Sequence, residues 1–229
     1  LPKLPPEIPG YDIAGRSLPA SQVGGDYFDF IEAHEGHLAF CLGDATGKGM
    51  PAAMLMANLQ ATIRGQAKVS RSVAECLQQA NSLLYHSTSA EKFATLFFGC
   101  LNTSTHRFCY ANAGHCPPIL VDAAGAARRL TRSGIVLGCL EESAYPDDVV
   151  ELQTGDVLTL FSDGVTEAMN GAEEEFGEIR LEAVISAHRE LSADALIEAV
   201  FRTVREHAGG RAQADDMTAV VIKRRAGQT

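Results

Sequence analysis

The sequence lacks the features that mark membrane proteins, disulfide-rich secreted domains and structural zinc proteins. Its 229 residues include no tryptophan and no C-x-x-C pair. No stretch approaches the roughly 18 apolar residues of a membrane-spanning helix. Six cysteines lie far apart, most in apolar surroundings: Cys41, Cys76, Cys100, Cys109, Cys116 and Cys139. We therefore expect reduced, buried thiols in a cytoplasmic protein. His115 beside Cys116 has no second pair at ligand spacing, which disfavours zinc.

Basic residues are also scarce. The formal charge is −10 at pH 7 and the sequence pI is about 5.1. Basic runs are short, at residues 128–129 and 223–225. Because nucleic acids and anionic membranes recruit clustered Lys and Arg, we expect neither as a partner. The 46% hydrophobic content predicts a globular protein with a substantial core.

Hydrophobic periodicity predicts strands and helices in an α+β order. Pro51 suits the first turn of a helix that runs to about Arg64, and Ser72 with Glu75 has the capping-box spacing that opens a second helix. Glu35 and Gly36 are expected to turn a hairpin. Strands are predicted at residues 11–18, 27–31, 37–42, 93–102, 107–114, 117–121, 127–130, 148–152, 157–164 and 217–224, and later helices at 178–189 and 192–207. This order predicts two sheets with helices outside them.

The first ten residues, LPKLPPEIPG, are rich in proline. Such a composition is typical of a linker. We interpret residues 1–10 as a linker to an N-terminal regulatory domain outside this sequence, and residues 11–225 as one domain.

The segment GDATGKGMP, residues 43–51, resembles a phosphate-binding loop but lacks its spacing. A P-loop requires G-x-x-x-x-G-K-[ST]. Here only three residues separate Gly43 from Gly47, and Gly49 follows Lys48 where the hydroxyl residue should stand. The residue of interest becomes Asp44, which follows an apolar strand pattern.

Acidic residues occur beside glycine, or in a pair, at four predicted strand ends. They are Asp26 with Asp29, Asp44, Asp163, and Asp215 with Asp216. One Asp-Gly pair is usually a turn, but four suggest a shared site, since converging carboxylates are costly unless a cation neutralises them. Oxygen ligands without paired His or Cys favour Mg²⁺ or Mn²⁺. Two such ions about 3.5–4 Å apart would activate water for attack at phosphorus.

Six motifs, in order, carry a resemblance to a known family. They are PASQVGGDYFD (19–29), GDATGKGMPAA (43–53), FATLFFG (93–99), NAGHCPP (112–118), LFSDGVTEA (160–168) and DDMTAVVIK (215–223). Together they resemble the metal-dependent protein phosphatase (PPM) family, in its bacterial branch of SpoIIE and RsbU type. The resemblance covers nearly the whole chain.

The resemblance implies an αββα sandwich of two antiparallel sheets flanked by helices, and hydrolysis of phosphoserine or phosphothreonine with two Mn²⁺ or Mg²⁺ ions. It implies that Asp44 bridges both ions, that Asp26 and the Ala45 carbonyl hold one, and that Asp163 and Asp215 hold the other. Asp216 is a neighbouring candidate ligand. Gly25 and Gly164 are expected either to allow close backbone approach or to form ordinary turns.

The sequence departs from the eukaryotic members at two positions. They carry a histidine where this chain has Thr46, and an arginine shortly before the first acidic motif, where the nearest here is Arg16. The general acid and the phosphate anchor are therefore unassigned. Lys48 is a candidate source of positive charge near the metal site, although a solvent-exposed role is the more ordinary one.

The bacterial branch further implies regulation in stress response and sigma-factor control. The expected substrate is a phosphorylated STAS-domain anti-sigma-factor antagonist. The expected activator is an N-terminal sensor domain or a partner protein acting through the first two helices, and a homodimer is one expected assembly. A PPM-fold binding module without turnover stays open as the alternative, and a nucleotide-binding protein that uses Lys48 is a weaker one.

Overall fold

The computed structural model describes residues 1–2, 4–21, 23–34, 36–47, 49–88 and 91–225. Glu35 and Lys48, both named above, lie outside the described residues. The elements in chain order are β1 (Tyr11–Leu18), β2 (Asp26–His34), β3 (His37–Ala45), α1 (Met50–Gln66), α2 (Val73–Ser87), β4 (Ala94–Asn102), β5 (Arg107–Ala113), β6 (Ile119–Val121), β7 (Ala127–Arg129), β8 (Asp147–Glu151), β9 (Val157–Phe161), α3 (Asp163–Thr166), α4 (Gly177–Ala187), α5 (Ala193–Ala208) and β10 (Met217–Arg224).

The chain divides into two units, each built on one five-stranded antiparallel sheet. The first unit comprises Leu1–Lys3, Gln22–Pro117 and Thr131–Leu152, and the second comprises Leu4–Ser21, Pro118–Leu130 and Gln153–Thr229. The first sheet has the order β2-β3-β4-β5-β8, and the second has the order β1-β10-β9-β6-β7. Two antiparallel sheets flanked by helices confirm the predicted fold class.

In the first unit, α1 and α2 cover one face of the sheet. Their buried faces include Leu55, Leu59 and Ile63 from α1 with Leu77 and Leu84 from α2, and these join one core with the sheet. Pro51 lies in the first turn of α1, as predicted. Ser72 caps α2 by accepting a hydrogen bond from Glu75 N at 3.1 Å. The Glu75 carboxylate accepts from Arg71 N, one residue earlier than in a standard capping box.

In the second unit, α5 packs on β1 and β10, and α4 packs on α5 and β6. Ser192 caps α5 and Gly209 ends it in a left-handed conformation, which suits a residue without Cβ.

The pattern at 157–164 predicts a strand through Gly164, but β9 ends at Phe161 and Asp163 begins the short helix α3. The Ser162 hydroxyl donates to the Asp216 carbonyl and accepts from Thr218 N, and these bonds hold the chain where β9 ends.

The six cysteines are free in the structure, and Cys41 and Cys76 are buried. Cys100, Cys109 and Cys116 are half-buried and Cys139 is exposed, so the predicted burial holds for only two of the six thiols. Among the described residues, no helix is both long enough and apolar enough to cross a bilayer.

Candidate functional site

Three of the predicted ligands lie together at one end of the first sheet. β2 and β3 pair antiparallel with Asp26 directly opposite Asp44. Asp26 is buried and Asp44 is half-buried. A Cβ at Gly25 would lie 2.9 Å from Asp44 Oδ1 and 3.1 Å from the Ala45 carbonyl oxygen. Gly25 therefore permits a close approach to two of the predicted ligand groups, which decides between its two expected roles.

The segment after Asp44 is held to the strand beside it. Thr46 N donates to the Phe93 carbonyl at 3.0 Å, and the Thr46 hydroxyl accepts from Phe93 N at 3.2 Å. Gly47 and Gly49 have φ angles of 103° and 68°, a region that glycine adopts without strain. Thr46, which stands where the eukaryotic members have a histidine, therefore ties the end of β3 to Phe93.

Asp29, the second acid of the first motif, forms an ion pair with α1. It is fully buried and accepts hydrogen bonds from Arg64 Nε at 2.6 Å, Arg64 Nη2 at 3.0 Å and Tyr27 Oη at 2.8 Å. Burial alone would raise the pKa of Asp29, but these hydrogen bonds outweigh it and hold the pKa below its ordinary value. The acid thus anchors α1 to β2.

A second acidic group lies in the second unit, where α3 meets the start of β10. Burial, followed by the charges of Asp215 and Asp216, raises the pKa of Asp163. Burial likewise raises the pKa of Glu167, with Asp163 contributing next. Glu167 lies within the motif LFSDGVTEA, where sequence reasoning assigns no role to it. Beyond burial, these carboxyl groups therefore lie close enough to disfavour one another's ionised forms.

The two aspartates before β10 differ in their surroundings. Asp215 is exposed and its Oδ1 accepts from Asp216 N at 2.9 Å. Asp216 is buried and its Oδ1 accepts from Ala20 N at 2.7 Å. A Cβ at Gly164 would lie 2.1 Å from the Asp216 carbonyl oxygen. Glycine is therefore required at position 164 for the close backbone approach, which is one of the two roles expected for it.

Arg16, the arginine nearest the first acidic motif, is engaged by carboxylates of α5. Its guanidinium donates to Asp194 at 2.7 and 3.0 Å and to Glu198 at 2.6 Å. These partners neutralise the charge that a phosphate anchor would need.

The donor chemistry of both acidic groups fits Mg²⁺ or Mn²⁺, since all the donors are oxygens and several are buried. Within either unit, however, the described residues include no group of three or more His, Cys, Asp or Glu side chains arranged to hold a metal ion. The ligand set implied by the motifs therefore stays a prediction.

A partly buried network that sequence reasoning missed reaches Asp44 from the NAGH motif. Thr95 lies directly opposite Asp44 in the β3–β4 ladder. Its hydroxyl accepts from Asp44 N at 3.3 Å and lies 2.9 Å from His115 Nδ1. Asn112 bonds to both the N–H and the carbonyl of His115, at 2.8 and 2.9 Å. The signal available in the sequence is the motif NAGHCPP, which contains both Asn112 and His115.

Comparison with known proteins identifies the family. The family model of Stage II sporulation protein E (SpoIIE) matches residues 34–225 of this chain. The chain belongs to the SpoIIE family. It is also 29% identical over 223 residues to the phosphoserine phosphatase RsbU of Bacillus subtilis, covering 96% of this chain and 65% of RsbU. The resemblance drawn from the six motifs is thereby confirmed.

Solved structures confirm the fold of this SpoIIE-family chain. The RsbU and RsbW domains of Rv1364c from Mycobacterium tuberculosis match with a TM-score of 0.80 at 27% identity, over 97% of this chain and 63% of that one. The SiaA-PP2C domain of Pseudomonas aeruginosa matches with a TM-score of 0.84 at 21% identity, over 92% and 85%. RsbX, solved in complex with magnesium, matches with a TM-score of 0.69 at 16% identity, over 95% and 96%. The chain thus spans slightly under two thirds of RsbU and of the Rv1364c structure.

Proposed function

We propose that the chain hydrolyses phosphoserine or phosphothreonine on a protein and depends on two Mn²⁺ or Mg²⁺ ions. The observation that carries the proposal is the register that sets Asp26 opposite Asp44 at the ends of β2 and β3. Two facing carboxylates are costly without a cation. The name of RsbU, a phosphoserine phosphatase with 29% identity to this chain, supports the reaction class.

The proposed roles follow the motifs residue by residue. Asp44 would hold both ions, Asp26 and the Ala45 carbonyl would hold one, and Asp163 and Asp215 would hold the other. Asp216 is a further candidate, although one of its oxygens already accepts from Ala20. When bound, the ions would supply an activated water and neutralise the phosphoryl oxygens. Gly25 and Gly164 leave room for the backbone to approach the acids.

The proposed substrate is a phosphorylated STAS-domain anti-sigma-factor antagonist in a cytoplasmic signalling pathway. Its support is the likeness to RsbU and to a protein that joins RsbU and RsbW domains. In this proposal residues 1–10 are a linker and residues 11–225 are the phosphatase domain. An N-terminal sensor domain or an activator protein would act through α1 and α2.

Phosphate release from a phosphoserine-labelled STAS protein tests the proposal. We expect release with Mn²⁺, none with chelator, and at least a 100-fold loss in Asp44→Asn and Asp163→Asn, on the order of the loss when a group that stabilises the transition state is removed. Asp147→Asn is the matched control, because Asp147 is an exposed acid at the start of β8.

Full activity in Asp44→Asn or Asp163→Asn would contradict the proposed site. The second candidate function is a PPM-fold binding module without turnover. A wild-type protein that binds Mn²⁺ but releases no phosphate from either the STAS protein or an aryl phosphate would favour that module.

A further inference from the structure

The hydrogen-bond network behind Asp44 includes a buried histidine that the proposed reaction does not use. His115 is 5% exposed, and Asn112, which holds its backbone, is fully buried. Gly114 between them has φ 70° and lies against Val136, where a Cβ would approach within 2.7 Å. The loop from Asn112 to His115 is therefore fixed by two hydrogen bonds between the Asn112 side-chain amide and the backbone of His115, and by packing.

Thr95 connects this loop to Asp44. A threonine hydroxyl has one proton to donate and two lone pairs that accept. Thr95 Oγ1 accepts from Asp44 N and lies 2.9 Å from His115 Nδ1, to which it donates or from which it accepts according to the His115 tautomer. In either tautomer this hydrogen bond links the loop to the hydroxyl that holds Asp44 N.

We propose that His115 and Thr95 are positioning residues that fix the backbone of Asp44 for metal binding. The inference rests on the proposed function, because it takes Asp44 as the bridging ligand. His115 holds the Thr95 hydroxyl in one orientation, and that hydroxyl holds Asp44 N. Partners that orient a metal ligand in this way typically change metal affinity by about 10- to 100-fold when they are removed.

The first test is Mn²⁺ binding to the metal-free protein, measured by isothermal titration calorimetry. Thr95→Val removes the hydroxyl at nearly constant volume and should raise the Kd for Mn²⁺ by about 10-fold. Thr95→Ser keeps the hydroxyl and should stay within about two-fold of the wild type, since the same atom still accepts from Asp44 N.

Thr159→Val is the matched control. Thr159 is buried in β9, and its hydroxyl has no hydrogen-bond partner among the described residues. Its loss should leave the Kd for Mn²⁺ unchanged. Equal Kd values for the wild type and Thr95→Val, with thermal melting showing that both are folded, would overturn the inference.

A double variant separates the role of His115 from a merely structural one. If His115 acts through Thr95, then His115→Gln combined with Thr95→Val should bind Mn²⁺ about as weakly as the weaker single variant. Effects that multiply would overturn the link between the two residues, even if each variant weakens binding.

Asp44→Asn distinguishes this inference from the proposed function. Weak Mn²⁺ binding in Asp44→Asn with normal binding in Thr95→Val would sink only the positioning role. Normal binding in Asp44→Asn would remove Asp44 as a ligand, and the proposed function would fail with it.

Discussion

Replacing Arg64 by methionine should destabilise the protein strongly, because it leaves Asp29 buried without its cation. Asp29 is fully buried, whereas the Arg64 side chain is 51% exposed. Breaking a buried ion pair by removing one partner typically costs 3–5 kcal/mol. Since water reaches the Arg64 side, we expect the lower end, about 3 kcal/mol in the free energy of unfolding. For a chain of this size that corresponds to a fall of about 6–12 °C in Tm.

The loss should depend on pH, and its sign follows from the lowered pKa of Asp29. A carboxyl whose folded pKa is depressed contributes stability above its unfolded pKa of about 3.9, and that contribution is lost as pH falls through the folded pKa. Burial is the largest cause that acts on the pKa of Asp29. Without Arg64 to oppose it, burial raises that pKa. The difference between wild type and Arg64→Met should therefore be largest near pH 7 and shrink towards pH 4.

Urea unfolding followed by circular dichroism at both pH values measures this difference. Arg71→Met, at an exposed arginine just before α2, is the matched control and should change stability by less than about 0.5 kcal/mol. The reasoning is refuted if Arg64→Met loses no more stability than Arg71→Met, or if its loss is the same at pH 4 and pH 7.

Three smaller changes test other parts of the structure. Gly164→Ala should abolish Mn²⁺-dependent activity and lower Tm, because its Cβ would lie 2.1 Å from the Asp216 carbonyl, whereas Gly171→Ala, which meets nothing within 4 Å, should do neither; equal Tm values would contradict this. Ser72→Ala should cost about 1 kcal/mol in urea unfolding through loss of the α2 cap, and an unchanged midpoint would argue against the cap. Arg16→Met should leave KM for the phosphoprotein within about two-fold and cost at most about 1 kcal/mol; a large rise in KM would make Arg16 a phosphate anchor.

Much of the fold could be predicted from local patterns. Ser72 was identifiable as a cap because cap chemistry depends on neighbours within one turn. Strand patterns located β2 and β3 but ended them early, at residues 31 and 42 instead of 34 and 45. The missing residues include Asp44 and Ala45, whose strand conformation comes from pairing with β2 and β4 and not from apolar alternation.

The candidate site was predictable only as a set of acids. The acidic pattern groups Asp29 with Asp26, yet Asp29 forms an ion pair with Arg64, a residue 35 positions away. The contact between Thr95 and His115 likewise depends on the β4–β5 pairing, which brings together residues from two separate motifs. Such side-chain pairing is set by register and packing, which a single sequence does not specify.

The number of Mn²⁺ ions bound per chain tests the central claim most directly. Equilibrium dialysis of the wild type, Asp44→Asn and Asp163→Asn should give two ions for the wild type. It should give at most one for each variant, because each loses an oxygen ligand from one of the two acidic groups. Two ions bound with wild-type Kd in both variants would contradict the account.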